Sequence, residues 1–210
     1  MQGCVPSATR LCENFDAVGA SYDKQGSNAR LSVSTTDFTS APRALRVFVD
    51  PIDANLYGTA FIERPMSVVS PKMVQARLRL KVVKNAGFTN VLQIGFRGDT
   101  IPDRTSVVAL QVGPTSVKII EQTIEGGSEL NFDAHHLKLM TWPTAWMDVT
   151  VTWRDDRSVV LSIDGVTSAP APLFSEFTRG TLAIQYGVTF SNGGGDCDAL
   201  LDDIQVDATF

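Results

Sequence analysis

The chain contains no apolar run near the roughly 18 residues that a membrane-crossing helix needs, and almost none of it has helical period. Histidine is nearly missing: the 2 present, His135 and His136, are adjacent. The 3 cysteines, Cys4, Cys12 and Cys197, form no Cys-x-x-Cys pair. Clustered Cys and His ligands of the kind that hold zinc are therefore absent from the pattern. Basic residues are in deficit, 18 Lys and Arg against 23 Asp and Glu, for a net charge of -5. Sequence-independent binding to nucleic acid needs clustered Lys and Arg to displace counterions, so nucleic acid is not an expected partner.

Disorder is excluded as well. Hydrophobic residues make up 43% and charged residues 20%, which is ordinary globular usage, and a chain of 210 residues can bury a sizeable core. Sandwiches and barrels reach this size without splitting, and no linker, repeat or low-complexity tract interrupts the sequence, so residues 1–210 read as one domain. The start, Met1-Gln2-Gly3-Cys4, lacks the charged and apolar regions of a signal peptide. Its Gly-Cys pair is similar to the processing site of a bacterial lipoprotein. Cys4 and Cys12 are close enough in sequence to close a small disulfide ring, which suits an oxidising compartment. The expected location is extracellular, periplasmic or at a cell surface.

What the sequence does contain is alternation. Runs of period two are broken every eight to fifteen residues by Gly, Pro, Asn or Asp, the signature of short antiparallel strands. Val74, Ala76, Leu78, Leu80 and Val82 share a face, as do Leu92, Ile94 and Phe96, then Val149, Val151 and Trp153, and later Leu182, Ile184, Tyr186 and Val188. Each strand thus buries one face, and no amphipathic helices intervene to cover a parallel sheet. The predicted fold is all-β, an antiparallel two-sheet jelly-roll sandwich of roughly a dozen strands. Asp155-Asp156-Arg157 and Asp164-Gly165 are read as turns, and Ser168–Pro172 as a surface connection. Residues 126–146, with Gly126-Gly127 and Pro143, are read as a long loop.

The run Trp146-Met147-Asp148-Val149-Thr150-Val151-Thr152-Trp153, followed by Val159–Gly165, resembles the laminin G-like and concanavalin A-like jelly rolls. Cys12-Glu13-Asn14-Phe15-Asp16 looks like their opening strand, and Leu201–Asp207 like the closing strand that pairs beside it. The resemblance spans nearly the whole chain and implies a superfamily of lectins, carbohydrate-binding modules, hydrolases and lyases. Hydrolases of this fold carry Glu-x-Asp-x-x-Glu, because a retaining mechanism needs two carboxylates about 5–5.5 Å apart. No such strand is present, and Glu63, Glu121, Glu125 and Glu129 read as surface acids. Lyases of this fold use Arg and Gln to neutralise a uronate carboxylate, with a Tyr, with or without a His, to move the proton. Gln75–Arg79 and Leu92-Gln93-Ile94-Gly95 are similar to the strands that supply the first pair, but Gly95 stands where the resemblance implies a His.

By alternation Arg46, Arg77, Arg79, Gln93, Arg97 and Gln111 point away from the core, and they are expected to line one concave sheet. Guanidinium forks suit carboxylate recognition there. Trp142, before Pro143, is the aromatic expected to meet a sugar face, with Tyr57 and Tyr22 as others outside core registers. The resemblance also implies a structural calcium held by Asp16, Asp202 and Asp203, with Asn192–Asp198 a further acidic turn of oxygen ligands. The sequence thus supports a non-catalytic, lectin-like module of an exported or surface-attached bacterial protein, with carbohydrate, above all an acidic polysaccharide, as partner. The alternatives are a lyase or hydrolase with an atypical site, and a structural or adhesive module whose partner is protein.

Overall fold

The computed structural model describes residues 4–16, 24–25, 28–39, 43–50, 57–98, 103–139, 141–174, 179–192 and 195–210. Among these described residues there is no helix; sixteen strands form two antiparallel sheets packed face to face. The back sheet is built on β6 (Met73–Asn85), β11 (Met147–Arg154), β12 (Ser158–Ile163) and β16 (Cys197–Thr209), flanked by β3 (Ala29–Ser34), β4 (Ala44–Val49) and β13 (Val166–Thr167). The short strands β1 (Arg10–Glu13) and β14 (Ala171–Pro172) add to β16 and β12. The front sheet runs, from one edge to the other, β10 (Ser128–Leu139), β9 (Ser116–Glu125), β8 (Arg104–Val112), β7 (Phe88–Gly98), β15 (Arg179–Asn192), β5 (Gly58–Val69) and β2 (Lys24–Gln25).

Alternation places the core where the sequence indicates. Val74, Ala76, Leu78, Leu80 and Val82 of β6 face Leu92, Ile94, Phe96, Leu182, Ile184 and Tyr186 across a dry interior, and all are buried. Trp153 and Tyr186 are fully enclosed, and the Phe15 ring meets Tyr186 edge-on at 5.9 Å between centroids, a favoured aromatic geometry. Phe15, with φ of 59°, turns the chain inward after β1. The chain ends meet as expected: Arg10–Glu13 pairs with Ile204–Asp207. The Cys4–Cys12 disulfide is formed and fastens the residues before β1 to that strand, and Arg64 Nε, from the front sheet, meets Glu13 Oε1 at 2.9 Å across the rim.

Two sequence readings are corrected. Residues 126–146 are not one long loop: Ser128–Leu139 is a twelve-residue edge strand paired to β9. Gly126 and Gly127, both at positive φ, make the tight turn that mirror-image hairpin geometry requires. The polar composition and two register shifts, between Glu129 and Asn131 and between His136 and Lys138, hide the alternation. Ser168–Pro172 is likewise not wholly connection, since Ala171–Pro172 pairs with β12 at the sheet margin, where proline is tolerated in a ladder.

Candidate functional site

The polar residues singled out by alternation do point away from the core, but the structure separates them. Arg46 lies on β4 and Arg77 and Arg79 on β6, so they occupy the outer face of the back sheet; Gln93 and Arg97 on β7 and Gln111 on β8 occupy the outer face of the front sheet. The two groups are on opposite sides of the sandwich. The expectation of one shared Arg and Gln face is thereby overturned. The reason is the short step from Asn85 to Phe88, which carries the chain from one sheet to the other instead of closing a hairpin.

On the back sheet Arg79, Arg46 and Lys81 are paired with carboxylates, while Arg77 meets an amide. Arg79 Nε sits 2.8 Å from Asp148 Oδ1 on the strand directly opposite. Arg46 forks onto Asp198, Nε to Oδ1 at 2.9 Å and Nη2 to Oδ2 at 2.6 Å, and its guanidinium lies 5.6 Å from the Phe48 ring centre. Lys81 Nζ meets Asp37 Oδ2 at 2.5 Å, while Trp146 Nε1 donates to Asp37 Oδ1 at 3.0 Å. The Lys81 hydrogen bond, with help from Trp146, holds the Asp37 carboxyl below its ordinary value. Arg77 Nε donates to Gln75 Oε1 at 2.8 Å, and Gln75 Nε2 to Thr152 Oγ1 at 3.1 Å. Paired in this way, the polar groups of that face bind each other.

The front sheet is arranged differently. Register puts Gln93 beside Gln185 of β15, and Gln185 beside Glu63 of β5. Gln93 Nε2 donates to Gln185 Oε1 at 3.0 Å, and Gln185 Nε2 donates to Glu63 Oε2 at 2.5 Å. The carboxylate fixes the direction of both amides, and each amide nitrogen keeps a second N–H. Two residues along β7, Gly95 lies between Ala183 and Val107. Arg97 follows, exposed and with no carboxylate partner among the described residues. A glycine inside a strand often marks close approach by another molecule. A Cβ added at Gly95 would meet nothing nearer than 3.6 Å, so the space above it is not needed by the fold. Val107, Ala109 and Ile120 lie on this same outer face and are nevertheless buried, so its middle is recessed. Gln111 extends the polar surface by donating to Asn90 Oδ1 at 2.9 Å. Phe132, 54% exposed, stands opposite Gln122 on the edge strand of the same sheet.

Gln185 and Glu63 were legible only in part: Leu182, Ile184 and Tyr186 face inward, which turns Gln185 outward, but nothing in the sequence pairs it with Glu63. Glu121 corrects the reading of surface acids. It is fully enclosed on the inner side of β9 and accepts a bond from the Phe174 amide at 3.0 Å. Glu125 pairs with Arg104 at 2.7 Å, and Glu129 accepts from Gln122 at 2.7 Å.

Trp142 is half-buried against the core, its Nε1 donating to the Gly113 carbonyl at 2.8 Å. Tyr57 is exposed and lies 5.3 Å from the Phe190 ring; Tyr22 lies outside the described residues. Asp202 is completely buried and its oxygens are spent on N–H and O–H donors: Oδ2 accepts from Thr39 N at 2.9 Å and Oγ1 at 2.8 Å, Oδ1 from Asp203 N at 2.8 Å. Asp16 Oδ1 is enclosed without a partner among the described residues. Among the described residues no group of His, Cys, Asp and Glu converges to hold a metal ion. In the acidic turn, Gly193 and Gly194 lie outside the described residues, while Asp196 and Asp198 are engaged by Lys84 and Arg46.

No family model matches the chain, and no curated protein matches it in sequence. Among solved structures it is similar to an endo-β-1,4-glucuronan lyase from the fungus Trichoderma reesei, with a TM-score of 0.69 at 10% identity over 95% of each chain. It is also similar to alginate lyase A1-II′, a member of polysaccharide lyase family 7, with a TM-score of 0.52 at 12% identity over 82% of each chain. A third likeness is to the β-glucanase of Bacillus licheniformis, with a TM-score of 0.53 at 13% identity over 99% of this chain and 95% of that one. At such identities the likeness carries the fold, and the fold is the concanavalin A-like jelly-roll sandwich.

Proposed function

We propose that the chain acts on an acidic polysaccharide laid across the outer face of the front sheet, with Gln93 and Arg97 holding a uronate carboxylate above Gly95. The observation that carries this reading is the exposed Arg97 guanidinium, without a carboxylate partner among the described residues, beside an oriented amide row on a recessed face whose centre is glycine and alanine. A guanidinium and an amide N–H satisfy a carboxylate with charge-assisted bonds. Each stands two residues from Gly95, about 7 Å at ~3.4 Å per residue, so the two side chains reach toward the ligand from either side across a gap of roughly 14 Å.

Elimination fits this face better than hydrolysis. Withdrawing charge from the uronate carboxylate acidifies the hydrogen on the adjoining ring carbon. Its loss expels the glycosidic oxygen at the next carbon and leaves a double bond in the sugar. Hydrolysis instead needs two carboxylates within about 10 Å. Glu63 and Glu129, the acids at the two sides of this face, stand on β5 and β10, five strand spacings or roughly 24 Å apart. The lyases among the structural neighbours support elimination; the Cys4–Cys12 disulfide supports an exported, oxidising location.

A second reading, a lectin-like module that binds without turnover, is favoured by one observation. Elimination needs a proton acceptor, and among the described side chains no Tyr or His stands beside Gln93, Gly95 or Arg97. Tyr57 is about 20 Å along the strand direction from Glu63. Incubation with polyglucuronate and alginate separates the two. Growth of unsaturated-uronate absorbance supports elimination; retention on the polymer without products supports the lectin; new reducing ends without unsaturation would overturn elimination in favour of hydrolysis.

A further inference from the structure

The front sheet carries a second cation beyond the Gln93 row. Val117 and Ile119 of β9 face the core, which turns Lys118 outward on the same face as Gln93 and Arg97. Register aligns Gln93 with Ala109 and Ile120, and Gln111 with Lys118. Lys118 therefore stands two strands across and two residues along from Gln93, roughly 12 Å, on the side away from Arg97.

Lys118 is partly exposed, and no carboxylate among the described residues cancels its charge. Its Nζ lies 4.5 Å from the centre of the Phe88 ring. A ring attracts an ammonium without neutralising it and leaves it N–H donors to give. Gly113 makes room for that ring, since a Cβ there would come within 2.8 Å of it. Beside Lys118, Gln111 gives one N–H to Asn90 Oδ1 at 2.9 Å and keeps the other. An ammonium next to an amide repeats the chemistry of Arg97 and Gln93 and suits a second carboxylate. The opposite flank differs. Glu63, at the β5 end of the row through Gln93 and Gln185, is itself a carboxylate and repels another.

We infer that Lys118 and Gln111 form a second uronate subsite on the front sheet, so that the ligand is a polymer with uronates at more than one position, running obliquely from Arg97 on β7 toward Lys118 on β9 and away from Glu63. The inference rests on the front-sheet reading and adds length to it. Arg97 and Lys118 are about 22 Å apart, ~20 Å along the strands and ~10 Å across. One sugar ring does not span that distance, so only an oligomer engages both.

Calorimetric titration of the intact protein with a glucuronate trisaccharide and octasaccharide tests it. The wild type should bind the octasaccharide more tightly. Lys118→Ala should cut the octasaccharide affinity about tenfold, the loss of one charge-assisted bond, and keep the trisaccharide affinity. Lys118→Arg should retain both, and Arg97→Ala should weaken both. Wild-type octasaccharide affinity in Lys118→Ala, with Arg97→Ala weakened, overturns the subsite and leaves the front-sheet reading standing. Equal losses for the two oligomers in Lys118→Ala also overturn it, because the lysine then acts within the first subsite or on the fold. If neither Arg97→Ala nor Lys118→Ala lowers affinity, the subsite and the front-sheet reading fall together.

Discussion

The two outer faces of this sandwich are built from similar residues and do opposite things with them. On the back sheet Arg46, Arg79 and Lys81 each have an aspartate across the strand or beside it, Asp198, Asp148 and Asp37. On the front sheet Gln93 and Gln185 are aligned by Glu63, while Arg97 has no carboxylate among the described residues. Exposed cross-strand ion pairs contribute little stability each, ~0–1 kcal/mol, but they take up the charge of Arg46, Arg79 and Lys81; Arg77, beside them, is bonded to Gln75 and has no carboxylate among the described residues. A cation without such a partner among the described residues, as Arg97 is, remains available for a ligand. On the proposed reading, the difference between a structural and a binding arginine lies in its neighbour, not in its direction.

The contrast can be broken at several points. The largest expected effect is on the back sheet, at Asp202. Replacing this buried carboxylate by alanine strands the Thr39 and Asp203 donors, at ~1–3 kcal/mol for each donor left unbonded. Chemical denaturation of Asp202→Ala should show a loss of about 3 kcal/mol with binding of acidic polysaccharide retained by the folded fraction. On the front sheet Arg97→Ala should do the reverse: melting unchanged, affinity for polyglucuronate reduced roughly tenfold or more, as expected for one charge-assisted bond. Calorimetric titration at low and high salt checks it, because the wild-type advantage should shrink as salt screens the exposed charge.

Arg46→Ala is expected to lower stability by only ~0.2–1 kcal/mol and leave polysaccharide affinity untouched. A double-mutant cycle with Asp198→Ala isolates that term; a large loss of binding in Arg46→Ala would dissolve the distinction between the faces. The smallest effect concerns pH. Asp37 is held below its ordinary value of 3.8 chiefly by Lys81. Its contribution is therefore fully present above that value and lost as pH falls through the lowered one. Melting curves of the wild type and Asp37→Asn should differ at pH 5 and converge as pH falls through the lowered value.

The fold was legible because alternation reports which side chains face inward, and the strands of β6, β7, β11, β12 and β15 follow it almost residue by residue. Alternation does not report which sheet a strand joins. That depends on distant pairing, β6 with β11 and β16 but β7 with β8 and β15. Hence Arg77 and Gln93 read as neighbours and stand on opposite sides. Glu121 misled for a related reason: an acid in an inward register looks like a break in a strand until its partner, the Phe174 amide 53 residues away, is known. The edge strand Ser128–Leu139 escaped because two register shifts interrupt its period. The outward direction of Gln93 and Arg97 is legible in the alternation; the row that orients Gln93 through Gln185 to Glu63 is not.

The central claim, that the front sheet and not the back sheet receives the polysaccharide, is tested most directly by mapping backbone amide shifts on titration with a short polyglucuronate oligomer. Shifts should concentrate on β7, β15 and β8 around Gln93, Gly95 and Arg97. Shifts confined to β4, β6 and β16 around Arg46 and Arg79 would contradict it.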